Sequence, residues 1–218
     1  MGDVKSVIVD TVCPHCHKTE KSKIWISVNN LENPRITKRI IDDTFFDKIC
    51  SNCGKLYYLD YTVTYRDEDN NKAICYSSTE EEFMQLYYTF TETNRTEINE
   101  NLRLVRNRNS FREKVRIFSM EMDDRVVEIM KVWSVESLRD CGYKGELDQI
   151  LCWVTDDLEL SFSFFDKLGN AYVSHVLMPF DSYVKIEEGL SELLSKEESK
   201  NCVIDLDWAM NFVIKHDL

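Results

Sequence analysis

Cys13-Pro14-His15-Cys16 and Cys50-Ser51-Asn52-Cys53-Gly54 are two C-x-x-C knuckles, and they decide how the chain is read. A two-residue spacer bends the chain back and turns both thiols to one side. Two such turns supply the four ligands of a tetrahedral site, and four thiolates are the donor set of a closed, structural zinc ion. Pro14 stiffens the first turn, and Gly54 permits a left-handed residue just after the second. Cys13, Cys16, Cys50 and Cys53 are therefore the expected metal ligands, with Zn2+ as a structural cofactor. The 33 residues between Cys16 and Cys50 leave room for a strand and a helix. A redox pair would show one C-x-x-C in a βαβ setting. A catalytic zinc would keep an open position and use histidine or carboxylate. His15 and His17 are read as exposed knuckle side chains.

Strands flank both knuckles. Residues 4–11 alternate as a strand into the first, 23–28 return from it after a polar turn, 45–49 lead into the second, and 55–66 read as one long strand out of it. Asn33 is placed as N-cap and Pro34 as first residue of a helix to Asp42, with Ile36, Ile40 and Ile41 on one face. A turn at 67–71 joins a hairpin return over 72–76. Residues 80–90 fit a helix or a strand, because their apolar periodicity decides neither. A polar loop over 91–100, a strand over 102–105 and a helix opened by a Ser110/Glu113 capping box follow. A second helix starts near Asp123-Asp124 and ends before Gly142. Beyond it come strands over 149–154, 158–166 and 171–178, with a hairpin turn at 166–170. A helix over 182–194, a charged turn at 196–200 and a helix over 207–215 close the chain. The class is α+β: a zinc-ribbon-like antiparallel sheet with helices, then a C-terminal α+β part with an antiparallel sheet. The expected domains are 1–142 and 143–218.

The chain has 218 residues, 43% of them hydrophobic, so a packed core is within reach. Its net charge of −12 argues against a nucleic-acid partner, whose backbone asks for a basic face. One basic run departs from this: Arg103, Arg106, Arg108, Arg112, Lys114 and Arg116 face the single acid Glu113. It reads as a solvated helix face whose arginines pair with the chain's acids. Trp25, Tyr57, Tyr58, Tyr61, Tyr65, Tyr87 and Tyr88 read as core and cross-strand pairs. Asp123-Asp124, Asp156-Asp157 and Glu187-Glu188 read as water-facing acids. No nucleophile–base set is named by any motif. No apolar run reaches the roughly 20 residues of a membrane span, and residues 1–11 lack the apolar stretch of a signal peptide. The expectation is a cytoplasmic protein with no membrane partner, and Cys75, Cys141, Cys152 and Cys202 as free thiols.

The two knuckles, the aromatic strand after the second, Leu102-Arg103-Leu104-Val105, the Arg112-Glu113-Lys114 helix and the run Met122-Asp123-Asp124-Arg125-Val126-Val127-Glu128 together resemble the bacterial CpXC family over residues 4–131. The family is named for two C-P-x-C motifs, and Ser51 stands where the second would have proline. All four cysteines remain, so the departure touches only the stiffness of that turn. The resemblance implies a bacterial origin and a metal site, and it names no activity. It also implies a charge network among Arg112, Glu113, Asp123, Asp124 and Arg125. The leading expectation is a module that binds a protein partner or a ligand. The alternative is an enzyme with a site in the crevice between the two parts, and a third is a nucleic-acid binder.

Overall fold

The computed structural model describes residues 5–92, 101–167, 172–197 and 201–218. The expected loop over 91–100 lies outside that set from 93 onward. So do 168–170 of the hairpin turn, 198–200 of the charged turn, and the first residue of the first expected strand. The fold is α+β in two compact units, 1–115 and 116–218. Position 142 falls inside the second unit.

The first unit is built on a five-stranded sheet. Its strands are β1 (Lys5–Val12), β2 (Thr19–Asn29), β5 (Val63–Asp67), β6 (Lys72–Tyr76) and β7 (Asn101–Val105), in that spatial order. β1 and β2 pair antiparallel from Val12↔Thr19 outward, so the first knuckle is itself the hairpin turn and β2 starts earlier than residue 23. The sheet is mixed: β2 runs parallel to β5, and β6 parallel to β7. Parallel neighbours need a crossover. Helix α1 (Pro34–Ile41) lies in the first and helix α2 (Glu80–Glu92) in the second.

The expected long strand over 55–66 is two strands in two sheets. β4 (Leu56–Tyr58) pairs with β3 (Asp47–Ile49) as the ribbon of the second knuckle. The Leu59 amide still donates to the Phe46 carbonyl (2.9 Å), after which the chain leaves β3 and enters the larger sheet as β5. Alternation survives the break, because Tyr57, Val63 and Tyr65 are buried while Leu56, Tyr58 and Asp60 are exposed. A period of two shows which face a side chain takes, but not which strand its neighbour is. Val28, Val63, Tyr65, Ile74 and Leu104 are almost wholly buried, each contributing about 1.5–3 kcal/mol by leaving water. Phe46 and Phe111 pack their rings on Tyr76 at 5.5 and 5.6 Å.

Helix α2 resolves the ambiguity at 80–90, and its start was written in the sequence as Thr79-x-x-Glu82. The Glu82 amide donates to Thr79 Oγ1, and that hydroxyl donates to Glu82 Oε2, both at 3.2 Å. The expected capping box at Ser110 is displaced. Helix α3 (Arg108–Ser119) begins three residues earlier than that cap implies, and Asn107 Oδ1 accepts the Ser110 amide at 2.7 Å. Ser110 thus lies inside the first turn.

The second unit joins helix α4 (Asp124–Asp140) to a three-stranded antiparallel sheet. That sheet is β8 (Leu147–Val154), β9 (Glu159–Asp166) and β10 (Tyr172–Pro179), with β9 in the middle. Leu160, Phe162 and Phe164 of β9 alternate inward with no exposed surface. Helices α5 (Phe180–Lys196) and α6 (Leu206–His216) pack on α4. Asp123 caps α4 by accepting the Arg125 amide (2.9 Å), and the Arg125 guanidinium closes on the same carboxylate at 2.6 Å. The Asp123 amide donates to Tyr183 Oη (2.8 Å), and that hydroxyl donates to Glu187 (2.5 Å).

Two expectations about charge fail here. Asp124 is buried at 1% exposure, so the Asp123-Asp124 pair does not face water. Glu187 is half-buried under the Tyr183 hydroxyl, whereas Asp156, Asp157 and Glu188 are exposed as expected. In the basic run the expected pairing with acids holds at Arg106, Arg108 and Arg112, but the run is not a solvated face. Arg103 and Lys114 are buried, Arg106 pairs with Glu80, and Arg108 pairs with Asp43 at 3.0 Å while lying 4.4 Å over the Tyr58 ring. Arg112 reaches the Ile41 carbonyl (3.0 Å) and Asp43 (3.5 Å). Among the described residues no helix is long and apolar enough to cross a membrane.

Candidate metal centre

The two knuckles repeat one backbone pattern. In the first, the His17 amide donates to the Cys13 carbonyl (2.9 Å) and the Cys13 amide to the Lys18 carbonyl (3.1 Å). In the second, Gly54 donates to Cys50 (3.0 Å) and Cys50 to Lys55 (2.9 Å). The residue just past each second cysteine is left-handed, His17 at φ 58° and Gly54 at φ 70°. The glycine was a readable signal for this, and the histidine was not.

The turns bring all four sulfurs within 4.8 Å of one another. Cys13 Sγ lies 3.8 Å from Cys53 Sγ, and Cys16 Sγ lies 3.6 Å from Cys50 Sγ. Thiolates about 2.3 Å from a central ion stand about 3.8 Å apart along each edge of a tetrahedron. The donor set therefore fits a metal ion. All eight cysteines are free thiols, and the other four take no part in this cluster.

Around the sulfurs, side chains tie one knuckle to the other. Glu20 of β2 accepts the Ser51 amide (3.2 Å) and the Tyr57 hydroxyl (2.9 Å). The hydrogen bonds from Ser51 hold its carboxyl below the ordinary range. Thr11 Oγ1 shares a hydrogen bond with Ser22 Oγ at 2.7 Å and approaches the Tyr57 hydroxyl at 3.4 Å. Lys18 Nζ donates to Asn52 Oδ1 (3.2 Å), and Asn52 Nδ2 donates to Cys16 Sγ (3.6 Å). His15 is exposed with Nε2 3.1 Å from the Leu56 carbonyl, and His17 is exposed, so neither joins the cluster.

The thiols are electrostatically unequal. The Lys18 amide and the Asn52 side chain stabilise the Cys16 thiolate and bring its pKa down to about 6. At Cys53 the Lys55 amide favours the thiolate, but desolvation and hydrogen bonds shared with the other thiols outweigh it and lift the pKa to about 11.

The family model described as CpXC protein matches residues 11–131, which contain both knuckles and run to the buried stretch of α4. The chain belongs to the CpXC family. No curated protein and no solved structure matches it. Within the CpXC match lie the buried charges that patterning did not reveal: Asp67, Arg103, Glu113 and Lys114 in the first unit, and Asp124, Glu128 and Lys131 in the second. Lys131 Nζ meets Glu128 Oε1 at 3.1 Å with both side chains 4% exposed. Positions 124, 128 and 131 share one face of α4, a spacing that reads equally well as a wet stripe. Only packing tells the two apart.

Proposed function

We propose that this CpXC chain is a metal-stapled interaction module. In this reading Cys13, Cys16, Cys50 and Cys53 hold one structural Zn2+, and no reaction takes place at the ion. The observation that carries it is the pair of cross-knuckle sulfur separations, 3.8 and 3.6 Å, which match the edges of a tetrathiolate tetrahedron. The ligand set is complete without water or substrate, which is the mark of a structural site. A closed site holds the β1–β2 and β3–β4 hairpins together, and its binding free energy becomes folding free energy.

Elemental analysis of the purified chain tests the site. One zinc per chain is expected, and Cys13→Ser together with Cys50→Ser is expected to abolish it. A chain that carries no metal sinks the proposal.

The partner is a protein, and the surface offered to it is β1. Every described residue of β1 is exposed or half-buried, its outer edge ends the sheet, and Ile8 and Val12 are 61% and 58% exposed. Such an edge suits an extended polypeptide segment that adds a strand through main-chain hydrogen bonds. Affinity capture with the intact chain is expected to recover a protein that is lost with Ile8→Lys and kept with Ile214→Lys on α6. Equal recovery by both variants removes β1 from the proposal.

A further inference from the structure

Access to the four sulfurs is unequal. Cys13 and Cys50 are 0% and 2% exposed. Cys16 is half-buried and takes a hydrogen bond from Asn52 Nδ2 at 3.6 Å, with Asn52 itself anchored by Lys18. Cys53 is exposed and sits in a turn, residues 51–55, whose every residue is exposed. Cys53 is thus the most exposed residue of the four, and its Sγ lies 3.8 Å from Cys13 Sγ.

We propose that Cys53 is the modification site of this centre: the sulfur at which an electrophile or a peroxide reacts first, with Cys13 as the resolving thiol. The proposal rests on the metal-centre reading above. An ion would hold all four sulfurs as thiolates, so the acidities of the free thiols no longer rank them and access does. A donated N–H···S bond also draws electron density from the sulfur that accepts it. The Cys16–Cys50 pair is slightly closer, at 3.6 Å, but one member is sealed and the other is capped by Asn52.

With a peroxide ROOH the chemistry is a two-electron oxidation. The Cys53 thiolate attacks the O–O bond, takes up the hydroxyl oxygen as a sulfenic acid and expels RO−. The Cys13 thiolate then attacks the sulfenic sulfur, forms the S–S bond and expels hydroxide. Two thiolates are oxidised to one disulfide, the peroxide is reduced to the alcohol and hydroxide, and water protonates the alkoxide. The step removes two of the four donors and ties the knuckles covalently where a metal would otherwise tie them.

The test uses the full chain with Cys141→Ser, which removes the exposed thiol at the end of α4, loaded with zinc and checked by elemental analysis. N-ethylmaleimide below stoichiometry, followed by peptide mass spectrometry, is expected to label Cys53 about tenfold faster than Cys16. Hydrogen peroxide is expected to yield a Cys13–Cys53 linked peptide and to release one zinc per disulfide. First labelling at Cys16, or a Cys16–Cys50 disulfide, overturns the proposal. Asn52→Ala keeps all four cysteines and uncovers Cys16, so labelling there should rise toward the Cys53 rate. An unchanged rate at Cys16 also counts against it. A chain without metal overturns this proposal and the metal-centre reading together, whereas a zinc-loaded chain with an inert Cys53 overturns this one alone.

Discussion

The residue after each knuckle shows how much a single position can decide. Gly54 sits at φ 70°, and a Cβ built there meets nothing within 4 Å. Gly54→Ala therefore pays only the left-handed backbone penalty, about 1–2 kcal/mol, read as a lower unfolding midpoint in urea. His17 carries the same strain at φ 58°, so His17→Gly is expected to be neutral or slightly stabilising in the same assay. Under the proposed metal centre, the residues around the sulfurs are expected to tune metal affinity. Glu20→Gln weakens the carboxylate that holds Ser51 and Tyr57. Loss of such a partner typically costs about 10–100-fold in metal affinity, measurable by competition with a chromogenic chelator.

At the scale of the element, Glu82 serves both as helix start and as titrating group. Its carboxylate accepts from Thr62 at 2.6 Å, and from Ser78 and Thr79 at 3.2 Å. These bonds, Thr62 first, hold its pKa below the ordinary glutamate value of 4.5. A depressed carboxylate stabilises the fold above its unfolded pKa, and that stabilisation is lost as pH falls through the folded one. The window is thus from about 4.5 downward. Thr62→Val should move the Glu82 titration, followed by carbon-detected NMR, back up toward 4.5. An unmoved titration assigns the shift elsewhere. In α4 the pair Glu128–Lys131 is sealed from water. Lys131→Ala leaves a carboxylate buried without that partner and is expected to cost about 3–5 kcal/mol in denaturant unfolding.

On the whole molecule, the knuckles, the hairpin over 63–76 and the β8–β10 meander were legible because turn chemistry and period-two alternation are local. The split of 55–66 into two sheets and the parallel pairings β2/β5 and β6/β7 were not, since partners distant in sequence set them. The cysteine cluster was legible from spacing alone, whereas Glu20, Asn52 and Lys18 join it only through the meeting of the two hairpins. Buried Asp124, Glu128 and Lys131 look on paper like any solvated i, i+4, i+7 set. The division into two units carries its own prediction. Stripping the metal with a strong chelator should raise hydrogen exchange across β1–β4 while the β8–β10 meander keeps its protection. Uniform exchange throughout would show one cooperative block.

The open edge of β1 also bears on solubility. Val7-Ile8-Val9 is a short β-prone run on an edge that no strand covers among the described residues, the kind of segment that recruits copies of itself into intermolecular sheets. Lys5 and Asp10 flank it, and Asp10 is held in place by Lys21 at 3.3 Å. These two charges act as gatekeepers, because stacking like strands in register would pile their charges on one another. Asp10→Val removes one gatekeeper and the pair with Lys21, and is expected to make the chain precipitate faster on standing than the parent, visible as a rise in light scattering with no loss of helical signal.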